Sequence, residues 1–203
     1  MTRTDNSGPG TRIVLIQGHP DAIERHFNHA LADAYARGAQ AAGHGVARVE
    51  VATLDFPLLR SKHEWDAAPL PSSLEPAQQA IRWAQHVVLF FPLWLGDMPA
   101  LLKGFLEQVA RPGFAVSREA AGGFPKKRLA GRSARVVVTM GMPATLYRWY
   151  FRAHSVKSLE RNILGFSGIA PIRETLIGSI EGLDEPGRAQ WLDKLERLGR
   201  LAS

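Results

Sequence analysis

The chain has 203 residues, no cysteine and a formal net charge of +6. The length suits a single domain able to bury its own core, and the absence of thiols excludes disulfides, thiolate metal sites and a cysteine nucleophile. The longest apolar run covers residues 87–95, far short of the ~20 residues of a membrane span, and nothing at the N-terminus reads as a signal peptide.

Residues 1–11 are small and polar and read as a loose tail, leaving 12–203 as one domain. Residues 12–17 (RIVLIQ) read as a buried strand stopped by Gly18-His19-Pro20. Residues 24–42 carry Phe27, Leu31, Ala34 and Tyr35 at helical spacing, and Gly43 ends that helix. Residues 44–51 alternate and suit a second strand, and 52–73 read as a long loop. Ser72 or Ser73 is placed to cap a helix running to residue 85. The apolar run 87–91 predicts a central strand ended by Pro92. A helix follows at 99–109, a second long loop at 111–131 and a strand at 135–139. The spacing then predicts one helix over 145–164, a strand over 171–177 and a closing amphipathic helix over 186–201. Strict alternation of strand and helix predicts a doubly wound parallel α/β sheet.

In such a sheet ligands bind beyond the carboxyl ends of the strands. Three loops leave those ends. The first, 18–28, leads into a helix, whose free N–H groups suit a phosphate, although it has neither G-x-G-x-x-G nor a P-loop. The second contains Pro92, Leu93, Trp94, Leu95 and Gly96; its Trp94 either meets a flat apolar ligand or caps the core. The third contains Thr139, Met140, Gly141 and Met142, with Tyr147 beyond it. Together they suit a flavin mononucleotide, taking its phosphate, its ring and its pyrimidine edge in turn.

These segments resemble the flavodoxin-like NAD(P)H:quinone oxidoreductases, the DT-diaphorase group with its bacterial relatives. Gly18-His19-Pro20 with Phe27-Asn28, Phe91 to Trp94 through Met98 to Gly104, Thr139-Met140-Gly141 with Tyr147, and Gly165-Phe166-Ser167-Gly168 carry the likeness. The resemblance implies a three-layer αβα sandwich around a five-stranded parallel sheet of order 2-1-3-4-5. It implies FMN, or FAD, as cofactor, with NAD(P)H as co-substrate. His19, His26, Phe27 and Asn28 then fall at the phosphate and ribityl chain, residues 92–96 along the isoalloxazine, and residues 139–142 with Tyr147 at the pyrimidine edge. Tyr147 is implied as a catalytic group that steadies charge on the reduced flavin. The histidine that serves the mammalian enzymes falls opposite Ala153, which makes its neighbour His154 the second catalytic candidate. The first loop is longer than in the mammalian members, and Arg25-His26 stand where small hydroxyl residues are usual.

The implied activity is hydride transfer from NAD(P)H through the flavin to a quinone or similar small electrophile, by a cytoplasmic homodimer. The alternative is a flavin-binding regulatory subunit held peripherally on a membrane transport system. His26 and His29 lack a third ligand and read as a surface pair, so no metal is expected. Gly165-Phe166-Ser167-Gly168 is not a nucleophile elbow and reads as a turn. Arg148, Arg152 and Lys157 share the predicted helix and either attract nicotinamide phosphates or solvate its face. The basic clusters 125–128 and 132–135 come without a nucleic-acid-binding motif, so no nucleic-acid partner is expected.

Overall fold

The computed structural model describes residues 10–117 and 126–203. The expected tail, up to residue 9, and Pro125 of the basic cluster lie outside the described residues. Five strands form one parallel sheet: β1 (Arg12–Gln17), β2 (Gly45–Glu50), β3 (His86–Pro92), β4 (Ser133–Thr139) and β5 (Ile172–Ile177). Their order is β2-β1-β3-β4-β5, as expected. β3 is buried along its whole length. Its side chains alternate between two cores, as the two-residue period of a strand requires. Val87, Leu89 and Phe91 enter one core, and Val88 and Phe90 enter the other.

On the second face lie α1 (Phe27–Ala41) and α8 (Glu185–Arg200), which bring Leu31, Tyr35 and Leu195 into that core. The two helices cross with their backbones almost touching. A Cβ at Gly38 would stand 1.9 Å from the Glu196 carbonyl oxygen, and one at Gly199 would stand 2.0 Å from that of Tyr35. The first face is covered by α3 (Glu75–Trp83), α4 (Ala100–Val109) and the segment after β4, through Ile81, Leu102, Phe105, Val156 and Leu159. Asp184 caps α8 by accepting from the Gly187 N–H at 2.9 Å. No helix among the described residues is long and apolar enough to cross a membrane.

Several expectations change. The loop 52–73 contains α2 (Lys62–Ala67), where the Ser61 hydroxyl accepts from the Glu64 N–H at 3.1 Å. This is the Ser-x-x-Glu capping signature, but the helix buries none of its residues and so shows no apolar stripe. Neither Ser72 nor Ser73 caps α3. Ser73 instead donates to the Asp55 carbonyl, and a 3₁₀ turn (Ser72–Leu74) leads into the helix.

The single helix expected over 145–164 is broken. α5 (Ala144–Trp149) ends, Arg152 and Ala153 turn left-handed at φ 54° and 48°, and α6 (His154–Ser158) restarts. The chain then runs through a wider π-helical segment (Leu159–Leu164) into α7 (Gly165–Ser167), so the expected turn at 165–168 is a helix end closed by Gly168. Two consecutive left-handed L-residues cost roughly 1–2 kcal/mol each. Burial of Ala153, Val156 and Leu159 and a 2.6 Å hydrogen bond between the Tyr147 and Ser155 hydroxyls offset that cost. Arg148, Arg152 and Lys157 therefore do not share one helix, and Arg148 pairs with Glu174.

Intrinsic propensity would make Gly38→Ala stabilising by about 1 kcal/mol. The crossing predicts the opposite sign, a loss of roughly 1–3 kcal/mol from overpacking, read from urea unfolding midpoints. His86 is 2% exposed at the start of β3, with Nδ1 2.7 Å from Ser133 Oγ. Burial first, then Arg135 and Arg173, lower its pKa to about 4. The unfolded chain therefore binds the extra proton between pH 6.5 and 4, and stability falls as pH drops through that window. The His86 share is on the order of 3 kcal/mol, and His86→Gln should flatten the pH profile of unfolding accordingly.

Candidate functional site

A cavity of about 270 Å³ opens at the carboxyl ends of β1, β3 and β4, lined by His19, His26, Phe27, Asn28, Pro92, Trp94, Thr139, Ile180, Glu181 and Arg188. This is the switch point, where the chain leaves β1 for β2 on one side and β3 for β4 on the other. A larger cavity of about 400 Å³ lies between Trp65, α4 and residues 158–167. It stands away from the strand ends. Because polar groups converge on the smaller cavity, that one is the candidate site.

The first loop is stiffened by its own side chains. Gln17 Oε1 accepts from the His19 N–H at 3.0 Å, and Asp21 Oδ1 accepts from the N–H groups of Ile23 and Glu24 at 2.8 and 3.0 Å. His19 Nδ1 accepts from the Asp21 N–H at 3.2 Å, and His29 Nδ1 accepts from the His26 N–H at 3.0 Å. His26 precedes α1 and sets Nε2 2.8 Å from Asp21 Oδ2. The His19 and His26 rings stack at 4.1 Å, with His29 5.0 Å from His19. Burial, then His26 and His29, lower the His19 pKa to about 4, against the pull of Asp21. Burial likewise lowers His29. The hydrogen bond from His26, and then those from the backbone of Glu24 and Ile23, hold the Asp21 carboxyl well below the usual carboxylate range.

The expected surface pair is thus corrected: His29 is buried and His26 lines the cavity. Asp21, Glu24 and His26 bring ligand atoms within 4.8 Å of one another. The oxygens of Asp21 are already committed to His26 and two N–H groups, which accounts for the grouping without a metal.

Asn28 is 2% exposed and donates from Nδ2 to Thr139 Oγ1 at 3.2 Å, joining the first loop to the third. Its Oδ1 is buried without a partner, one of four such side-chain atoms among the described residues. A buried carbonyl oxygen left unpaired costs about 1–3 kcal/mol. The N–H groups of Phe27 and Asn28, in the first turn of α1, have no intrahelical acceptor by geometry.

In the second loop Pro92 and Trp94 form the wall, and Trp94 meets His19 edge-on at 6.0 Å. Leu93 packs against the core. Trp94 and Asp97 exchange backbone hydrogen bonds at 2.8 and 3.0 Å across Leu95 (φ 47°) and Gly96 (φ 79°). Positive φ at both central residues makes this a type I′ turn, which suits Gly96 and strains Leu95. Leu95 is fully exposed at its tip.

In the third loop only Thr139 lines the cavity. Met140 is buried in the core, Met142 packs beside it, and Gly141 lies against Glu181, where a Cβ would stand 3.4 Å from Oε1. The two catalytic candidates stand elsewhere. Tyr147 is 1% exposed and its hydroxyl is held by Ser155, while His154 is exposed and does not line the cavity.

The sequence reading missed Ile180, Glu181 and Arg188. Arg188 lies over the Phe27 ring at 4.9 Å and donates to the carbonyls of Ile180 at 2.9 Å and Leu183 at 3.2 Å. It thereby clamps the β5–α8 loop against the cavity. No motif marks it, because α8 reaches the site through its packing on α1.

Residues 11–198 match the model of a family described as having a flavodoxin-like fold. The chain belongs to that family. A protein of Haemophilus influenzae named as an uncharacterized NAD(P)H oxidoreductase is 25% identical over 184 residues, which span 89% of this chain and 90% of that one. The structure of an NAD(P)H:quinone oxidoreductase from Methanothermobacter marburgensis superposes with a TM-score of 0.78 at 22% identity, covering 94% of this chain and 96% of the other. An FMN-dependent NADH-azoreductase from Bacillus anthracis, solved with FMN, gives a TM-score of 0.70 at 15% identity, covering 95% and 100%. At these identities the two structures speak for the fold.

Asparagine tolerates the left-handed region better than leucine. Leu95→Asn should therefore stabilise the protein by about 1 kcal/mol, seen as a higher midpoint in thermal unfolding. A lower midpoint would mean that Leu95 is held by a contact that outweighs its strain.

Proposed function

We propose that the chain is a flavin-dependent oxidoreductase that passes hydride from NAD(P)H to a quinone or a similar small electrophile. The observation that carries this reading is the buried, unpartnered Oδ1 of Asn28, a residue of the cavity wall that stands in the first turn of α1 beside its free N–H groups. An acceptor next to free donors suits a chain of hydroxyls ending in a phosphate. Pro92, Trp94 and Phe27 supply an apolar wall for a flat ring. The oxidoreductase relatives and the family's fold support the same reading.

A bound flavin would supply the hydride relay between nicotinamide and acceptor. The protein's part is placement. The first-turn N–H groups of α1, with His19 and His26, hold the phosphate. Asn28, its amide fixed by Thr139, would stand beside the ribityl chain. Trp94 and Pro92 orient the ring and exclude water from one side. Tyr147 is a positioning residue, because its bond to Ser155 ties α5 to α6 behind the third loop. Leu146, Trp149, Tyr150 and Phe151 expose a run of large apolar side chains, which supports pairing of two copies.

The test is an anaerobic absorbance titration. Purified protein mixed with FMN or FAD and freed of excess should stay yellow and bleach on addition of NADH or NADPH. Asn28→Leu should weaken flavin binding tenfold or more while circular dichroism stays unchanged. A protein that retains neither flavin overturns the proposal.

A further inference from the structure

At the amino ends of the strands, opposite the candidate site, β3, β4 and β5 start side by side. His86 stands in register with Ser133, and Arg135 with Arg173. Residues two apart on a strand share a face, so these four lie on the face of Val88, Phe90 and Val137, the one covered by α1 and α8. A cavity of about 250 Å³ opens there, with His86, Ser133, Arg173 and Ser203 in its lining.

The charges of this cluster do not balance. Arg135 is 6% exposed and donates from Nε to the Ser203 main-chain oxygen at 2.5 Å and from Nη1 to Thr175 Oγ1 at 2.7 Å. No Asp or Glu side chain among the described residues pairs with it or with Arg173, its neighbour across the ladder. A carboxylate on Ser203 would set one negative charge against the two guanidiniums. Burial first, and Arg173 in addition, lower the Arg135 pKa against the pull of Tyr35. Adjacent cations repel, and a buried one without an anion is costly. Other arginines of the chain do find acids. Arg25 and Arg48 share Asp33, and Arg37 and Arg200 share Glu196. His86 is an independent sign. It is buried in the wall of this cavity, its Nδ1 is engaged by Ser133, and its Nε2 is a buried atom without a partner.

We propose that this cavity is a second ligand site, which binds a small oxyanion, a carboxylate or phosphate group, through the Arg173 guanidinium and the Ser133 hydroxyl, with the charge of Arg135 behind them. It stands independently of the flavin reading. The planar fork of a guanidinium matches two oxygens of such a group. Ser133 Oγ can donate to the anion while it accepts from Nδ1–H of His86. Pro171, Leu201 and Ala202 add an apolar wall, which leaves room for a small organic body carrying the acid. An incoming negative charge relieves the repulsion between the two arginines, so the anion stabilises the folded chain.

The experiment titrates the intact protein with sodium phosphate and with sodium benzoate, against sodium chloride at equal ionic strength. Two readouts are followed, the thermal unfolding midpoint and the NMR resonance of the His86 ring, assigned by its loss in His86→Gln. The expected result is a saturable movement of the His86 resonance with a dissociation constant on the order of 1 mM or tighter for at least one of the two anions. The midpoint should rise by roughly 3 °C or more at saturation. Tighter binding of phosphate supports the proposal and identifies a phosphate ligand, and tighter binding of benzoate supports it and identifies an organic acid. Arg173→Gln, an exposed substitution on the edge strand, should weaken binding about tenfold, and Ser133→Ala about threefold or more, with circular dichroism unchanged. An anion that binds Arg173→Gln as tightly as the parent protein, the outcome expected of phosphate lodged at the start of α1, overturns the proposal. So does a His86 resonance that ignores both anions or moves equally in chloride.

Discussion

The burial of β3 on both faces is the constraint on which the rest of the molecule depends. From His86 to Pro92 every residue is buried, so the strand needs a neighbour on each side and a helix layer above and below. Parallel neighbours require crossover connections, and the helices supply them. The loops leaving the carboxyl ends then gather at one edge. Because the chain departs in opposite directions from β1 and β3, a crevice opens between them. The candidate site is a consequence of that topology, and the residues lining it come from four separated stretches of chain.

Within the crevice the decisive contact is the one between Asn28 and Thr139. They are 111 residues apart in sequence and 3.2 Å apart in space. The bond fixes the Asn28 amide so that its donor side is satisfied while its acceptor oxygen stays buried without a partner. Buried polar atoms are seldom left unpaired, so the unpaired oxygen has chemical meaning. The same loop shows how backbone donors set imidazole chemistry. N–H groups aimed at Nδ1 of His19 and His29 favour their neutral forms and leave His26 to face the carboxylate.

Three of the five left-handed L-residues among the described residues lie in the segments that follow β3 and β4. Leu95 is left-handed beside the cavity wall, and Arg152 and Ala153 are left-handed between the two residues first expected to be catalytic. Strain of this kind persists only where the surroundings over-determine it. Here the type I′ turn between Trp94 and Asp97 holds Leu95, and the buried Tyr147–Ser155 contact holds the break between α5 and α6.

The sequence by itself determined the strand and helix order, since runs such as RIVLIQ and HVVLFFP bury only as strands and the stretch 27–41 only as a helix face. It also determined that the ligand-bearing loops follow β1, β3 and β4, and it pointed to His19, His26, Phe27, Asn28, Pro92, Trp94 and Thr139, all of which line the cavity. The strand pattern located the loops, and the resemblance to the quinone oxidoreductases implied the individual residues within them. Only the tertiary structure decided that Met140 and Tyr147 turn into the core, that the helix after β4 breaks, and that Ile180, Glu181 and Arg188 complete the wall. These outcomes depend on packing between distant segments. Period and propensity describe one segment at a time and carry no term for the α1–α8 crossing that brings Arg188 over Phe27.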